Sequence, residues 1–143
     1  MSRHDRDNNA MTPSKNSPCI CCSDKPFVRC CARFLIDKQN AKTPEQLMRS
    51  RYSAYALGGH GEYLLNTWFV TTRPQVSIEH LSQKECDWQQ LAIVNKTQQG
   101  DSGMVEFKAS YQESGKLQCL HETSQFKREQ NRWYYVDGEI HSS

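Results

Sequence analysis

The sequence predicts an α+β domain in which helices pack on a strongly curved, four-stranded antiparallel sheet, with a small cysteine knuckle in front of it. Three observations lead to this prediction. Helix signals fill residues 43–84, four segments with strand character follow from residue 88, and five of the seven cysteines lie within residues 19–31. Because the helices precede the strands, we expect one antiparallel meander that the helices cover on one face.

The length and composition are typical of a small single-core protein. Of the 143 residues, 1–17 form a polar arm that we expect to be flexible, 18–33 a knuckle and 34–143 the α+β domain. No apolar stretch approaches the roughly 20 residues that span a bilayer, and a secretory signal is missing, so we expect a soluble cytoplasmic protein without membrane contact. With a formal net charge of +2 and no block of Lys or Arg, nucleic acid is not an expected partner.

The knuckle is defined by five closely spaced cysteines at positions 19, 21, 22, 30 and 31. In a reducing compartment, such spacing favours a metal over disulfides. Two groups of thiolates on either side of a short turn can supply the four ligands of a tetrahedral zinc site. Four thiolates leave no coordination position for water, so the predicted zinc is structural. Cys86 and Cys119 lie apart and are expected to behave as small apolar residues.

The first long helix has a clear beginning and end. Thr43 is placed to cap it, Pro44 occupies its first position, and Gln46 is placed to bond back to the cap. The helix should end at about Leu57, because glycines follow at 58–59. Shorter helices are predicted for residues 60–69 and 78–84.

The strand half shows apolar and alternating segments separated by turn residues. The predicted strands are residues 88–96, 104–111, 117–127 and 132–140. Turns are expected at 100–103, 114–115 and 130–131. A two-residue turn at 114–115 would pair Phe107 with Glu122 and Ala109 with Leu120, which directs Glu122 into the core. The next turn would add Trp133, Tyr135 and Asp137 to the same face.

Arg51 is the charged residue that the first helix directs inward. On a helical wheel it lies in the middle of the apolar face, whereas Gln46, Arg49, Ser50 and Ser53 share the opposite arc. A buried guanidinium is costly unless a carboxylate meets it.

We therefore predict that Arg51 pairs with Glu122 or Asp137. Either the pair only locks helix to sheet, or the site is a pocket in which Arg51 binds a small anionic group and a carboxylate acts as base. The pocket candidates are Arg51, Tyr55, Trp68, Phe107, Glu122, Trp133 and Asp137.

The opposite face of the sheet carries His121, for which the sequence shows no partner, so we interpret it as a surface or interface residue. The same face holds Leu117, Cys119, Tyr134 and Val136 and is more apolar than a solvated face needs to be. This predicts a homodimer through the outer face of the sheet.

Several segments together resemble the bacterial YchJ-like proteins. They are Glu45–Tyr55, Tyr63–Leu64, Thr67–Trp68, Val105–Phe107, Glu122–Phe126 and Arg132–Gly138. The run from Leu47 to Tyr55 is the most specific of them. The resemblance covers nearly everything from Cys19 to Gly138, and it implies a cone-shaped domain similar to nuclear transport factor two (NTF2).

The knuckle resembles the SEC-C motif, the zinc-binding tail of the translocase motor SecA. Its pattern is Cys-x-Cys-Gly-Ser, a short spacer, and Cys-Cys or Cys-His. By this resemblance the zinc ligands are Cys19, Cys21, Cys30 and Cys31. Cys22 stands where the motif has glycine, so it either replaces Cys21 as ligand or remains a free thiol. A rigid knuckle of this kind is also a surface on which a protein partner can dock.

The sequence is compatible with two alternative functions. The first is a zinc-containing adaptor or binding protein whose cone binds a ligand or dimerises. The second is a small-molecule enzyme of the isomerase, dehydratase or hydrolase kind, since the cone fold often houses such sites. An open cavity with Arg51 and a carboxylate facing free volume favours the enzyme, and a filled core with a closed ion pair favours the adaptor.

Overall fold

The computed structural model describes residues 13–141. After a 3₁₀ turn at Phe27–Arg29 come the helices α1 (Ala32–Leu35), α2 (Pro44–Leu57), α3 (Gly61–Asn66) and α4 (Ile78–Leu81). The strands β1 (Asp87–Gln99), β2 (Ser102–Glu113), β3 (Lys116–Glu129) and β4 (Arg132–Ile140) follow. They form one antiparallel sheet in the order β1-β2-β3-β4. The predicted α+β fold class is confirmed.

The predicted flexible arm lies mostly outside the described residues. Its last residues are hydrogen-bonded to the knuckle, because Val28 N donates to Lys15 O over 3.1 Å and Phe27 N donates to Ser17 O over 2.8 Å. Backbone pairing therefore includes residues 15–17 in the knuckle, although their side chains are polar.

Helix α2 begins as its sequence predicts. The N–H of Gln46 donates to the hydroxyl of Thr43 over 3.1 Å, and Pro44 occupies the first turn, where its missing N–H costs nothing. Gln46 Oε1 accepts from the N–H of Lys42 over 2.8 Å, one residue before the expected cap. At the other end Gly58 adopts φ +75°, a conformation that favours glycine, and the helix stops.

The two short helices end earlier than predicted. After α3 the chain joins the sheet, since Tyr135 N donates to Thr67 O over 2.8 Å and Phe69 N donates to Tyr135 O over 2.7 Å. Helix α4 keeps a single turn, capped by the hydroxyl of Ser77. The two helices pack closely, because a Cβ at Gly61 would lie 2.1 Å from Ile78 O.

The hairpin register is the predicted one. Phe107 pairs with Glu122 and Ala109 pairs with Leu120. The turns at 114–115 and 130–131 each contain two residues with positive φ, the geometry of tight two-residue hairpins.

The far end of β4 differs from the prediction. Tyr135 pairs with Phe126, but Asp137 pairs with Gln125, so Val136 is an extra residue in the strand. A bulge of one residue inverts the alternation of side chains beyond it. Asp137 is therefore exposed, and the prediction that it shares the core face is wrong.

The core lies between α2 and the sheet, where α2 contacts β1, β2 and β4. Its largest members include Leu47, Tyr52, Leu64, Leu91, Phe107, Phe126 and Trp133. Among residues 13–141, no helix combines the length and the apolar character needed to cross a membrane.

The close packing of α3 on α4 gives a stability prediction. Gly61→Ala should lower the free energy of unfolding by about 2 kcal/mol or more, because backbone atoms of α4 occupy the space that the new methyl group needs. Gly100→Ala is the control, since nothing lies within 4 Å of its Cβ position and only the strain of φ +60° remains, about 1 kcal/mol. Urea unfolding measures both, and equal losses would contradict the packing argument.

Candidate metal centre and interior cavity

Four cysteine sulfurs converge at the amino-terminal end of the described chain. The Sγ atoms of Cys19, Cys21, Cys30 and Cys31 all lie within 4.8 Å of one another, and all four residues are buried. The Sγ atoms of Cys21 and Cys30 are 3.5 Å apart. Zinc with Zn–S bonds of about 2.3 Å holds its sulfurs about 3.8 Å apart, so small adjustments would fit the cluster to a tetrahedral ion. None of the seven cysteines, all of them within the described part, forms a disulfide.

Local backbone structure brings the two halves of the cluster together. Cys19 N donates to Lys25 O over 2.8 Å, and Cys22 N donates to Cys19 O over 3.0 Å, which folds the first half into a tight loop. Cys30 follows the 3₁₀ turn, and Cys31 immediately precedes α1. Two short turns thus present two sulfurs each to the same point.

Helix α2 holds the knuckle in place. Arg49 Nη1 donates to Cys21 O over 2.8 Å, and the hydroxyl of Ser53 donates to Cys31 Sγ over 3.2 Å. Such contacts orient the sulfur-bearing residues and neutralise part of their charge. The sequence assigned Arg49 and Ser53 to the arc opposite the core, and only the tertiary contact with the knuckle reveals their position.

The pKa values of the four clustered cysteines are shifted in opposite directions. A hydrogen bond with Cys21 lowers the pKa of Cys19 to about 6. Hydrogen bonding with Cys19 lowers the pKa of Cys30, whose sulfur also lies 3.0 Å from Ser23 Oγ, and raises the pKa values of Cys21 and Cys31. Some of the thiols therefore stay protonated when others ionise, because like charges so close repel. A divalent cation between them would allow all four to bind as thiolates.

Cys22 lies outside the cluster. Its side chain is exposed, and its sulfur is 3.7 Å from Ile20 O. Its φ of +66° is the left-handed conformation that glycine adopts at low cost. Of the two alternatives for this position, the geometry leaves Cys21 in the cluster and Cys22 as a free thiol.

A cavity of about 310 Å³ lies between α2, α4 and the sheet. Among its lining residues are five of the seven predicted pocket residues: Arg51, Tyr55, Trp68, Phe107 and Glu122. Trp133 is buried but is not among the lining residues, and Asp137 is exposed beyond the bulge.

Arg51 finds its partners in α3 and in two aromatic rings. Its Nη1 donates to Leu64 O and to the hydroxyl of Thr67, both over 2.7 Å. Its guanidinium carbon lies 5.0 Å from the ring centre of Trp68 and 4.7 Å from that of Tyr135. These contacts stabilise a cation that is 4 % exposed.

The predicted ion pair of Arg51 is absent, since no carboxylate of residues 13–141 lies within 4.0 Å of its guanidinium. Glu122 Oε2 instead accepts from the hydroxyl of Ser124 over 2.8 Å. Burial lowers the pKa of Arg51. The cavity thus contains a cation whose charge no direct carboxylate contact neutralises.

Two further polar atoms beside the cavity lack partners. Tyr52 Oη and Trp68 Nε1 are buried and form no hydrogen bond within the described part of the chain, and both residues line the cavity. An unpaired buried donor costs about 1–3 kcal/mol, so a polar molecule that reached these atoms would recover part of that cost.

On the outer face of the sheet, His121 has a partner that the sequence did not reveal. Its Nε2 lies 2.7 Å from Glu106 Oε2. The predicted register of the 114–115 hairpin places the two residues diagonally opposite each other on β2 and β3. The pair could therefore have been predicted from that register. Leu117 and Cys119 are exposed on the same face, and the homodimer stays a prediction.

Comparisons with known proteins agree with this architecture. A family model described as "YchJ, middle NTF2-like domain" matches residues 43–138. A UPF0225 protein of Chromobacterium violaceum is 41% identical over 135 residues, which are 90% of this chain and 98% of that protein. A UPF0225 protein of Vibrio parahaemolyticus is 38% identical over 126 residues, which are 85% of this chain and 74% of that protein.

Two solved structures have the same fold. The solution structure of a SEC-C motif containing protein from Rhodopseudomonas palustris aligns with a TM-score of 0.80 and 34% identity, over 88% of this chain and 100% of that chain. The crystal structure of a SEC-C motif containing protein from Psychrobacter arcticus aligns with a TM-score of 0.69 and 30% identity, over 92% of this chain and 82% of that chain. With its NTF2-like sheet and helices behind a four-cysteine knuckle, this chain belongs to the YchJ-like UPF0225 family.

Proposed function

We propose that this chain is a small binding protein in which the cysteine cluster holds one structural zinc ion and the interior cavity binds a small anionic molecule. The observation that carries the proposal is the convergence of four buried sulfurs within 4.8 Å. The ligands would be Cys19, Cys21, Cys30 and Cys31.

The donor set supports zinc and a structural role. Thiolates select soft or borderline ions, and a four-sulfur tetrahedral set suits zinc or iron. With every position taken by sulfur, no water can be activated there. When bound, the ion would join the two turns of the knuckle, and through Arg49 and Ser53 it would fix the knuckle on α2.

The cavity supports binding of a ligand with two kinds of polar group. Its volume of about 310 Å³ lies at the small end of ligand pockets. Arg51 offers a positive charge that no carboxylate of residues 13–141 contacts directly, and the aromatic rings of Trp68 and Tyr135 offer flat apolar surface. Glu122 lines the sheet side of the cavity, so it can accept a hydrogen bond from the same ligand.

A second candidate function is catalysis in this cavity. It is favoured by the position of Glu122, a carboxylate that lines the free volume together with Arg51. In an isomerase or dehydratase reaction, Glu122 would take a proton from the bound molecule, and Arg51 would stabilise the negative charge that develops.

Metal analysis tests the zinc site. Wild-type protein purified under reducing conditions should contain about one zinc per chain, and the Cys30→Ser, Cys31→Ser double variant should contain none and unfold at a lower temperature. A Cys86→Ser, Cys119→Ser double variant removes two thiols outside the cluster and should keep its zinc. A wild type that is folded under these conditions but free of metal would refute the proposal.

Variants of Cys22 test which of the five clustered cysteines bind. Cys22→Ala and Cys22→Gly should both keep the zinc, because this sulfur points away from the cluster. The glycine variant should be about 1 kcal/mol more stable than the alanine variant, since only glycine adopts φ +66° without strain. Loss of zinc from both variants would show that Cys22 is a ligand.

Thermal shift against small carboxylates and phosphates tests the cavity. At least one compound should raise the melting temperature, and Arg51→Lys should reduce that shift because it loses the planar guanidinium. Arg128→Lys makes the same change at a hairpin away from the cavity and should leave the shift intact.

A second readout keeps this test decisive if the Arg51 variant does not fold. On ligand addition, the indole N–H signal of Trp68 should move in wild-type protein. The Trp133 signal should stay, because its Nε1 donates to Lys42 O outside the cavity. A panel that moves neither the melting temperature nor the Trp68 signal would refute the pocket. Conversion of a binding compound by wild type, but not by Glu122→Gln, would favour the enzyme.

A further inference from the structure

The outer face of the sheet holds a second group of metal-ligating side chains. Glu106 lies on β2, His121 on β3, and His141 directly after β4. One ligand atom from each of the three lies within 4.8 Å of the other two. This group is separate from the cysteine cluster and from the cavity.

The sheet itself fixes the three positions. His141 N donates to His121 O over 2.8 Å, next to the paired residues Glu122 and Ile140, so the two histidines face each other on adjacent strands. Their rings stack with centres 4.3 Å apart and an angle of 29°. Glu106 lies on the neighbouring strand β2, diagonally opposite His121 on β3. Two members of the group therefore lie on paired strands, and the third, His141, is tied to β3 by a backbone hydrogen bond, which limits the motion of the backbone.

Existing hydrogen bonds hold the side chains in place. His121 Nε2 lies 2.7 Å from Glu106 Oε2, and His141 Nε2 lies 2.7 Å from the hydroxyl of Thr123. All three ligating residues are partly buried. Two imidazoles and one carboxylate are a donor set that divalent transition metals accept.

We propose that Glu106, His121 and His141 form a second metal site, which binds a divalent transition ion such as Zn²⁺. Ligands of one zinc ion lie about 3.3 Å apart, so His121 Nε2 and Glu106 Oε2 would separate by less than about 1 Å to take the ion in place of the proton between them. The ligand atom of His141, which lies within 4.8 Å of both, would move toward the ion. His141 would bind the ion either through Nε2, which would then lose its hydrogen bond to the hydroxyl of Thr123, or through Nδ1.

Two charged neighbours share this face. Lys108 is paired with His121 in the register and repels a cation, whereas Glu139 is paired with Thr123 and attracts one. Their effects on a divalent ion oppose each other. Three protein ligands leave at least one coordination position for water or for a group from another molecule, in contrast to the closed set of four cysteines.

Zinc titration followed by NMR of the imidazole rings tests the site. The protein is first loaded at the cysteines and freed of excess metal, and Zn²⁺ alone is then added. The ring nitrogen signals of His121 and His141 should shift and saturate with one further equivalent, while those of His60 and His80 stay. His121→Ala and His141→Ala should each weaken this binding at least tenfold. His80→Ala removes an exposed imidazole elsewhere and should not.

Three outcomes would overturn the proposal. The first is that the rings of His121 and His141 do not respond to zinc. The second is that His80→Ala weakens binding as much as the cluster variants do. The third is that Cys119→Ser, which removes a thiol from the same face, abolishes the second equivalent. None of these outcomes bears on the first zinc equivalent, because that ion is assigned to the cysteine cluster and its content is measured separately.

Discussion

Helix α2 is enclosed by protein on opposite sides, by the knuckle and by the sheet, and this constraint determines how its polar side chains are used. Ser50 and Ser53 are fully buried, and Arg51 is 4 % exposed. Each therefore needs a partner inside the molecule. Ser53 bonds to Cys31 in the knuckle, Ser50 to the phenol of Tyr63, and Arg51 to the end of α3. One helix thus connects the turns that carry the cysteine cluster to the wall of the cavity.

The mainly apolar interior of the cone contains a buried charge, that of Arg51, which is met by a carbonyl, a hydroxyl and two aromatic faces. Glu122 bonds to Ser124 instead, and the guanidinium is held toward α3. The free volume between Arg51 and Glu122 is the observation that supports the proposed binding of a ligand in the cone. A buried cation without a direct ion pair among residues 13–141 costs stability, and a bound anion would reduce that cost.

Features that depend on local chemistry were predictable from the sequence. The cap of α2, its glycine end, and the two tight hairpins that fix the register of Glu122 follow from a few adjacent residues. The predicted core face of α2 was correct, but its supposed outer arc was not, since Arg49 and Ser53 contact the knuckle. The hydrophobic periodicity of a helix shows only its apolar face, so it could not reveal that the knuckle covers the opposite, polar face of α2. That Cys21 lies in the cluster and Cys22 outside it likewise depends on the local backbone conformation, including φ +66° at Cys22, which spacing alone does not give.

The bulge at Val136 is the feature that sequence alternation could not show, and it acts on both faces of the sheet at once. Without the extra residue, strict alternation from Trp133 would direct Asp137 inward and, further on, His141 as well. With it, Asp137 lies outside the cavity, whereas Glu122 and Glu85 line it together with Arg51. His141 moves to the outer face, where it stacks on His121. A single inserted residue therefore both reduces the negative charge of the cavity and assembles the outer group of imidazoles and carboxylate.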